Sequence, residues 1–166
     1  MADWQVQILL GSDSDTSVMQ KTVEVLDELG VSCQMTVASA HRSPDRVHRL
    51  IDEAPDHGVK VFIVGAGAAA HLAGVVASRV TLPVIGVPID SSPLKGWDAL
   101  LATVQMPPGV PVATVSIGSA GAANAAVLAA QILAVSDAQI ASALKAYKVK
   151  LAEKVEQAAT RVEGRG

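Results

Sequence analysis

The segment Ser39-Ala40-His41-Arg42-Ser43-Pro44 sets two hydroxyls, an imidazole and a guanidinium side by side. Histidine moves a proton near neutral pH, and arginine grips an anion through two parallel hydrogen bonds. A proton shuttle beside an anion clamp is what an enzyme acting on a phosphorylated small molecule needs. The plain alternatives are a loop histidine satisfied by its neighbours and an arginine in a surface ion pair. Position favours the chemistry. The segment falls where a strand-like apolar run, residues 31–37, gives way to a helix with Ser43 as N-cap and Pro44 at its first position. Open α/β sheets take their ligands there, beyond the carboxyl ends of the strands.

Two other loops have the same placement. Gly11-Ser12-Asp13-Ser14-Asp15 follows an apolar strand and opens a helix. Its backbone N–H groups and the helix dipole suit a phosphate, whereas its two carboxylates suit sugar hydroxyls. Ordinary helix capping is the simpler reading. The run lacks the three spaced glycines of a dinucleotide fingerprint and the Gly-Lys-Ser/Thr of a Walker loop. The second loop, Gly65-Ala66-Gly67-Ala68-Ala69-Ala70-His71, is small enough for a ligand to approach the backbone. His71 is either a second ligand contact or a capping residue. His48 and His57 read as solvated, on the polar face and in the last turn of the second helix.

The elements that position these loops alternate as strand and helix, the pattern of βαβ units in a parallel sheet. Strands are expected over residues 6–10, 31–37, 59–64, 84–87 and 112–117. The first helix carries Met19, Val23, Leu26 and Leu29 at helical spacing and stops at Gly30; the second carries Val47, Leu50, Ile51 and Ala54 and stops at Gly58. A third helix follows His71. Residues 92–103 read as a loop and short helix, and Gln105-Met106-Pro107 as a lid or an interface corner. The helix over residues 120–135 is apolar almost all round and is expected to be buried on every side. The last helix, residues 137–162, has a stripe at Ile140, Leu144, Tyr147, Leu151, Val155 and Val162. It is too long to lie wholly on so small a domain, so it is expected to pack on neighbouring subunits of a homo-oligomer.

Composition narrows the classes. The 166 residues suit one domain spanning 1–166, and a 2% aromatic content leaves the core to Ala, Val, Leu and Ile and argues against a stacked flavin. Net charge is −3 and no basic block appears, which argues against nucleic acid as a partner. No metal-ligand spacing is present. The lone Cys33 falls in a strand and reads as a structural thiol in a reducing cytoplasm. The start reads as lacking a signal peptide, and no stretch is apolar enough for a membrane span.

Taken in order, these segments resemble the catalytic subunit family of phosphoribosylaminoimidazole carboxylase, a purine biosynthesis family. The resembling residues are Gly11-Ser12 with Ser14-Asp15 and Met19, the Ser39 to Pro44 segment, Gly65-Ala66-Gly67 through His71-Leu72, Gly86-Val87-Pro88, Val104-Gln105-Met106-Pro107, and Ala120-Gly121-Ala122-Ala123-Asn124-Ala125-Ala126. Together they cover roughly residues 5–150. Ala68 stands where glycine is common in the family, Ala73 where proline is, Ser43 for threonine, and Ser119 for lysine or asparagine.

The resemblance implies a three-layer α/β/α flavodoxin-like subunit in a cytoplasmic homo-octamer. It implies a mutase that shifts a carboxylate from the exocyclic nitrogen to ring carbon four of an aminoimidazole ribonucleotide, without metal or organic cofactor. His41 is then the proton-transfer residue. Ser12, Asp15 and Arg42 bind the nucleotide, with Ser14 and Ser39 nearby. Ala40, Ala66, Gly67, Ala68, Ala69, His71 and Leu72 complete the expected pocket. The ATP-dependent synthetase that forms the carbamate is an expected transient partner. Two alternatives remain open: a carboxylase using free CO2, the family's other branch, and a flavodoxin-like binding module without catalysis.

Overall fold

The computed structural model describes residues 4–164. Five strands, β1 (Val6–Leu10), β2 (Cys33–Val37), β3 (Val61–Gly67), β4 (Val84–Ile89) and β5 (Ala113–Thr114), form one parallel sheet in the order β2-β1-β3-β4-β5. That is the flavodoxin-like strand order. The inner strands β1 and β4 are buried along their whole length and β3 along all but its last residue, which is why they read as continuous apolar runs. Gln7 is the polar exception in β1. Its side-chain amide donates to the Gln34 carbonyl (3.1 Å) and accepts from the Trp4 indole (3.0 Å).

Helices cover both faces. On one face α1 (Thr16–Glu28), α5 (Ser119–Ala134) and α6 (Ala138–Glu163) close a core around Val6, Ile8, Leu10, Ile63 and Ile85. On the other face α2 (Pro44–Glu53), α3 (Leu72–Ala77) and α4 (Trp97–Val104) cover Leu9, Phe62 and Val64. The alternation of odd and even positions between the two cores follows the two-residue period of a strand.

With so few aromatics, the layers must approach closely. A Cβ at Gly65 would come within 2.7 Å of Met19 Sδ, so Met19 packs flat on β3 only because residue 65 has no side chain. A Cβ at Gly121 would collide with the Ser116 carbonyl at the start of α5. Farther along, the buried Thr22 hydroxyl donates to the Ala122 carbonyl (2.9 Å) and pins α1 to α5.

Several elements differ from their sequence expectation. β3 runs on through Gly67, because β4 continues beside it to Ile89 and supplies ladder partners; only residues 68–71 remain as loop. β5 shrinks to two residues, because only Ala113 and Thr114 find ladder partners on β4. Within one chain α5 is not buried on every side. Ala122, Ala125, Ala126 and Ala129 face the core while Asn124 and Gln131 are exposed, because α1, α6 and the sheet cover only one flank. Ser43 precedes α2 as expected but makes no capping bond to it; its hydroxyl accepts from the Ser39 N–H and donates to the Ser39 carbonyl instead. His57 is half-buried rather than solvated, stacked on Trp4 with ring centroids 4.2 Å apart, and His48 is also half-buried. Cys33 is half-buried, and burial raises its thiol pKa, with the Asp27 charge adding to the rise. No helix among the described residues is long and apolar enough to cross a membrane.

Candidate active site

The site follows from the strand order. From β1 the chain passes to α1 on one face of the sheet; from β3 it passes to α3 on the other. The connections diverge and leave a crevice at the carboxyl ends of β1 and β3. β1 pairs with β3 only as far as Gly65, so Ala66 and Gly67 extend past the end of β1 and form one wall. A hydrogen bond from the Gly11 N–H to the Gly65 carbonyl (3.0 Å) closes the floor.

The resulting cleft, about 320 Å³, is lined by Gly11, Ser12, Ser14, Asp15, Ser39, Ala40, His41, Arg42, Ala66, Gly67, Ala68, Ala69, Leu72 and Ser91. Every expected site residue except His71 lines it, and His71 touches His41. The three loops chosen from sequence therefore converge. Ser91 was missed. Its only signal is a hydroxyl shortly after the end of β4, and the strand order that puts β4 beside β3 is not written in local residue patterns.

The first loop is a capping box on a short 3-10 turn, Asp13–Asp15. The Ser14 N–H is held by Ser12 Oγ and Asp13 Oδ1, Ser14 Oγ donates to Ser12 Oγ (2.9 Å), and the Ser12 N–H donates to Asp15 Oδ2 (3.1 Å). Asp15 is 3% exposed. Burial raises its carboxyl pKa above the ordinary value; the bond from Ser12 works against the rise and the Asp13 charge adds to it. A carboxylate accepts several hydrogen bonds, so Asp15 keeps capacity for a ligand hydroxyl.

Arg42 stands at the junction of the first two loops. Its Nη2 donates to the Gly11 carbonyl (3.3 Å), and its backbone N–H donates to Ser39 Oγ (3.2 Å). The guanidinium remains exposed at the cleft, with donors free for an anion. His41 crosses to the third loop. Its Nε2 lies 2.9 Å from His71 Nδ1, the rings meeting edge to face with centroids 5.0 Å apart. Ala68 in that loop has a positive φ of 48°, a left-handed conformation that costs a residue with a Cβ. The Gln105-Met106-Pro107 corner packs on α3, with Met106 Sδ 3.2 Å from where a Cβ at Gly74 would stand. Among the described residues no group of three or more His, Cys, Asp or Glu is placed to hold a metal.

A flavodoxin-like α/β protein with a polar cleft at the β1/β3 switch point, holding a histidine, an arginine and a buried carboxylate, has the form of an enzyme for a small anionic ligand. The family follows from comparison with known proteins. Residues 5–154 match the AIR carboxylase family, and the chain belongs to it. A Thermotoga maritima protein named N5-carboxyaminoimidazole ribonucleotide mutase is 48% identical over 159 residues, covering 96% of this chain and 92% of the relative. A Bacillus subtilis protein of the same name is 53% identical over 139 residues, covering 84% and 86%. The crystal structure of Treponema denticola PurE superposes with a TM-score of 0.83 at 30% identity, covering 94% of this chain and 96% of that one.

Proposed function

We propose that this chain is an N5-carboxyaminoimidazole ribonucleotide mutase of purine biosynthesis, an isomerase that moves a carboxylate from the exocyclic nitrogen to ring carbon four. The carrying observation is the His41–His71 contact at the cleft that Asp15 and Arg42 also line. Near-50% identity to mutase-named relatives over most of the chain supports the same reading.

Arg42 and the serines of the first two loops anchor the phosphate, and Asp15 takes the ribose hydroxyls. The imidazole ring then extends toward the third loop. The carbamate C–N bond breaks, releasing CO2, and the exocyclic nitrogen gains a proton. CO2 stays beside the electron-rich ring, and a bond forms between its carbon and ring carbon four. That carbon becomes tetrahedral and gives up its proton to His41. One proton is gained at nitrogen and one lost at carbon, so a single imidazole serves both transfers. Acid–base help of this kind contributes about 10²–10⁴ in rate. Retaining CO2 against the ring adds a proximity gain. His71 orients His41 by holding its Nε2.

Residues 1–166 act as one domain, a cytoplasmic enzyme assembled as a homo-octamer. Exposed apolar side chains support the assembly: Trp97, Leu101 and Val104 along α4, and Leu151, Val155 and Val162 on the outer half of α6. A transient contact with the carbamate-forming synthetase would shorten the path of a labile product.

The carboxylase alternative is tested directly. Purified enzyme is expected to convert the carbamate nucleotide without added bicarbonate. Conversion of aminoimidazole ribonucleotide with bicarbonate at a rival rate would assign the chain to the carboxylase branch instead.

A further inference from the structure

The cleft has two chemically different ends. At the β1/β2 end stands Arg42, the one Lys or Arg among the described residues lining it, with a cluster of serines. At the β3/β4 end, Gly67, Ala68 and Ala69 offer only a hydrogen and two methyls, and Ser91 is the polar side chain among them. We propose that Ser91 is a substrate-binding residue whose hydroxyl donates to the carboxylate carried by the nucleotide's ring. The assignment rests on the mutase reading of the cleft and deepens it.

Three observations support it. The first is placement: a Cβ at Gly67 would collide with Ser91 Oγ, so that hydroxyl leans directly over the end of β3. It occupies the space that glycine leaves, on the wall toward which the mutase reading directs the base end of the nucleotide. The second is availability. Ser12, Ser14, Ser39 and Ser43 all use their hydroxyls in bonds within the chain. Among the described residues, Ser91 Oγ has no such partner and keeps both its donor and its acceptor capacity. The third is need. A carboxylate drawn into an apolar loop is costly unless hydrogen bonds replace its water; the methyls there supply none, so among the described residues Ser91 Oγ is the one side-chain donor at that end beside the loop's backbone N–H groups. The pair at His41 and His71 stands over the same loop, so the carboxylate and the proton acceptor meet at one ring carbon.

Calorimetric titration tests this, with 4-carboxy-5-aminoimidazole ribonucleotide and with uncarboxylated aminoimidazole ribonucleotide. Ser91→Ala is expected to weaken the carboxylated nucleotide about tenfold, the loss expected for one hydrogen bond to a charged group. Binding of the uncarboxylated nucleotide should change less than about twofold, and thermal unfolding should be unaltered. Equal affinity of the wild-type and Ser91→Ala proteins for the carboxylated nucleotide, or an equal loss on both nucleotides, would overturn the assignment. Arg42→Ala, expected to weaken both nucleotides alike, separates the two failures. If it binds both normally, the nucleotide reading of the cleft falls and the role of Ser91 falls with it; if it weakens both while Ser91→Ala changes neither, only the Ser91 contact is removed.

Discussion

The His41 Nε2 and the His71 Nδ1 stand 2.9 Å apart although the residues are 30 positions apart in the chain. One ring donates and the other accepts, so the contact fixes complementary tautomers and the direction in which His41 presents its remaining nitrogen. His41 comes from the loop after β2, His71 from the loop after β3, and β1 lies between those strands in the sheet. The pair therefore joins the second and third loops across the carboxyl end of β1, with His41 lining the cleft.

His41→Asn is expected to lower kcat by about 10²–10⁴, the usual worth of a general acid–base, while nucleotide binding persists. His71→Leu is expected to lower kcat about tenfold with KM nearly unchanged, because it loses the orienting contact but not the proton acceptor. Steady-state kinetics and calorimetric titration check both. Retention of most activity by His41→Asn would remove the shuttle role.

Asp15→Asn is expected to stabilise the ligand-free protein while weakening nucleotide binding. Burial raises the folded-state pKa of this carboxyl above its unfolded value. The folded chain therefore binds the proton more tightly, and the relative stability this gives is complete below the unfolded pKa and is lost as pH rises through the folded one. Asparagine keeps an oxygen for the Ser12 N–H without the buried charge. Thermal unfolding at neutral pH should show a higher Tm for the variant, with the gain shrinking as pH is lowered. A lower Tm at neutral pH would show that the charge contributes to the fold.

Ala68→Gly is expected to stabilise the chain. A left-handed residue with a Cβ costs about 1–2 kcal/mol, and the greater freedom of glycine in the unfolded chain takes back about 0.5–1 kcal/mol. The net gain, up to about 1.5 kcal/mol, corresponds to a rise of at most about 3–6 °C in Tm for a domain of this size. Differential scanning calorimetry measures it.

The isolated chain is 17.0 kDa, and sedimentation equilibrium is expected to give about eight times that mass. Leu151→Glu with Val155→Glu, both on the exposed stripe of α6, is expected to shift the distribution to smaller species. A stable wild-type monomer would refute the assembly.

Most of the fold was legible because its signals are local. β1 and α1 announce themselves through a buried run and a helical stripe, Gly30 follows α1 and Gly58 follows the 3-10 turn Ala54–His57 that continues α2, both at positive φ, and Pro44 fixes the start of α2. The errors fall where a neighbour decides. β4 draws β3 out to Gly67, the open flank of α5 depends on which helices reach it, and Trp4 shelters His57 from water. None of those partners is near in sequence.

The sequence by itself determined which loops carry the candidate site residues, since hydroxyl, imidazole, guanidinium and small residues cluster at strand ends whose positions periodicity reveals. It carried the family as well, through the order of the motifs. Only the tertiary structure decided how the loops meet: that His41 bonds to His71, that Arg42 reaches the Gly11 carbonyl, and that Ser91 leans over Gly67. The reason is physical. Strand order and register bring distant segments within a few ångströms, and a hydrogen bond depends on that distance, while sequence patterns record only what each residue's own turn or strand requires.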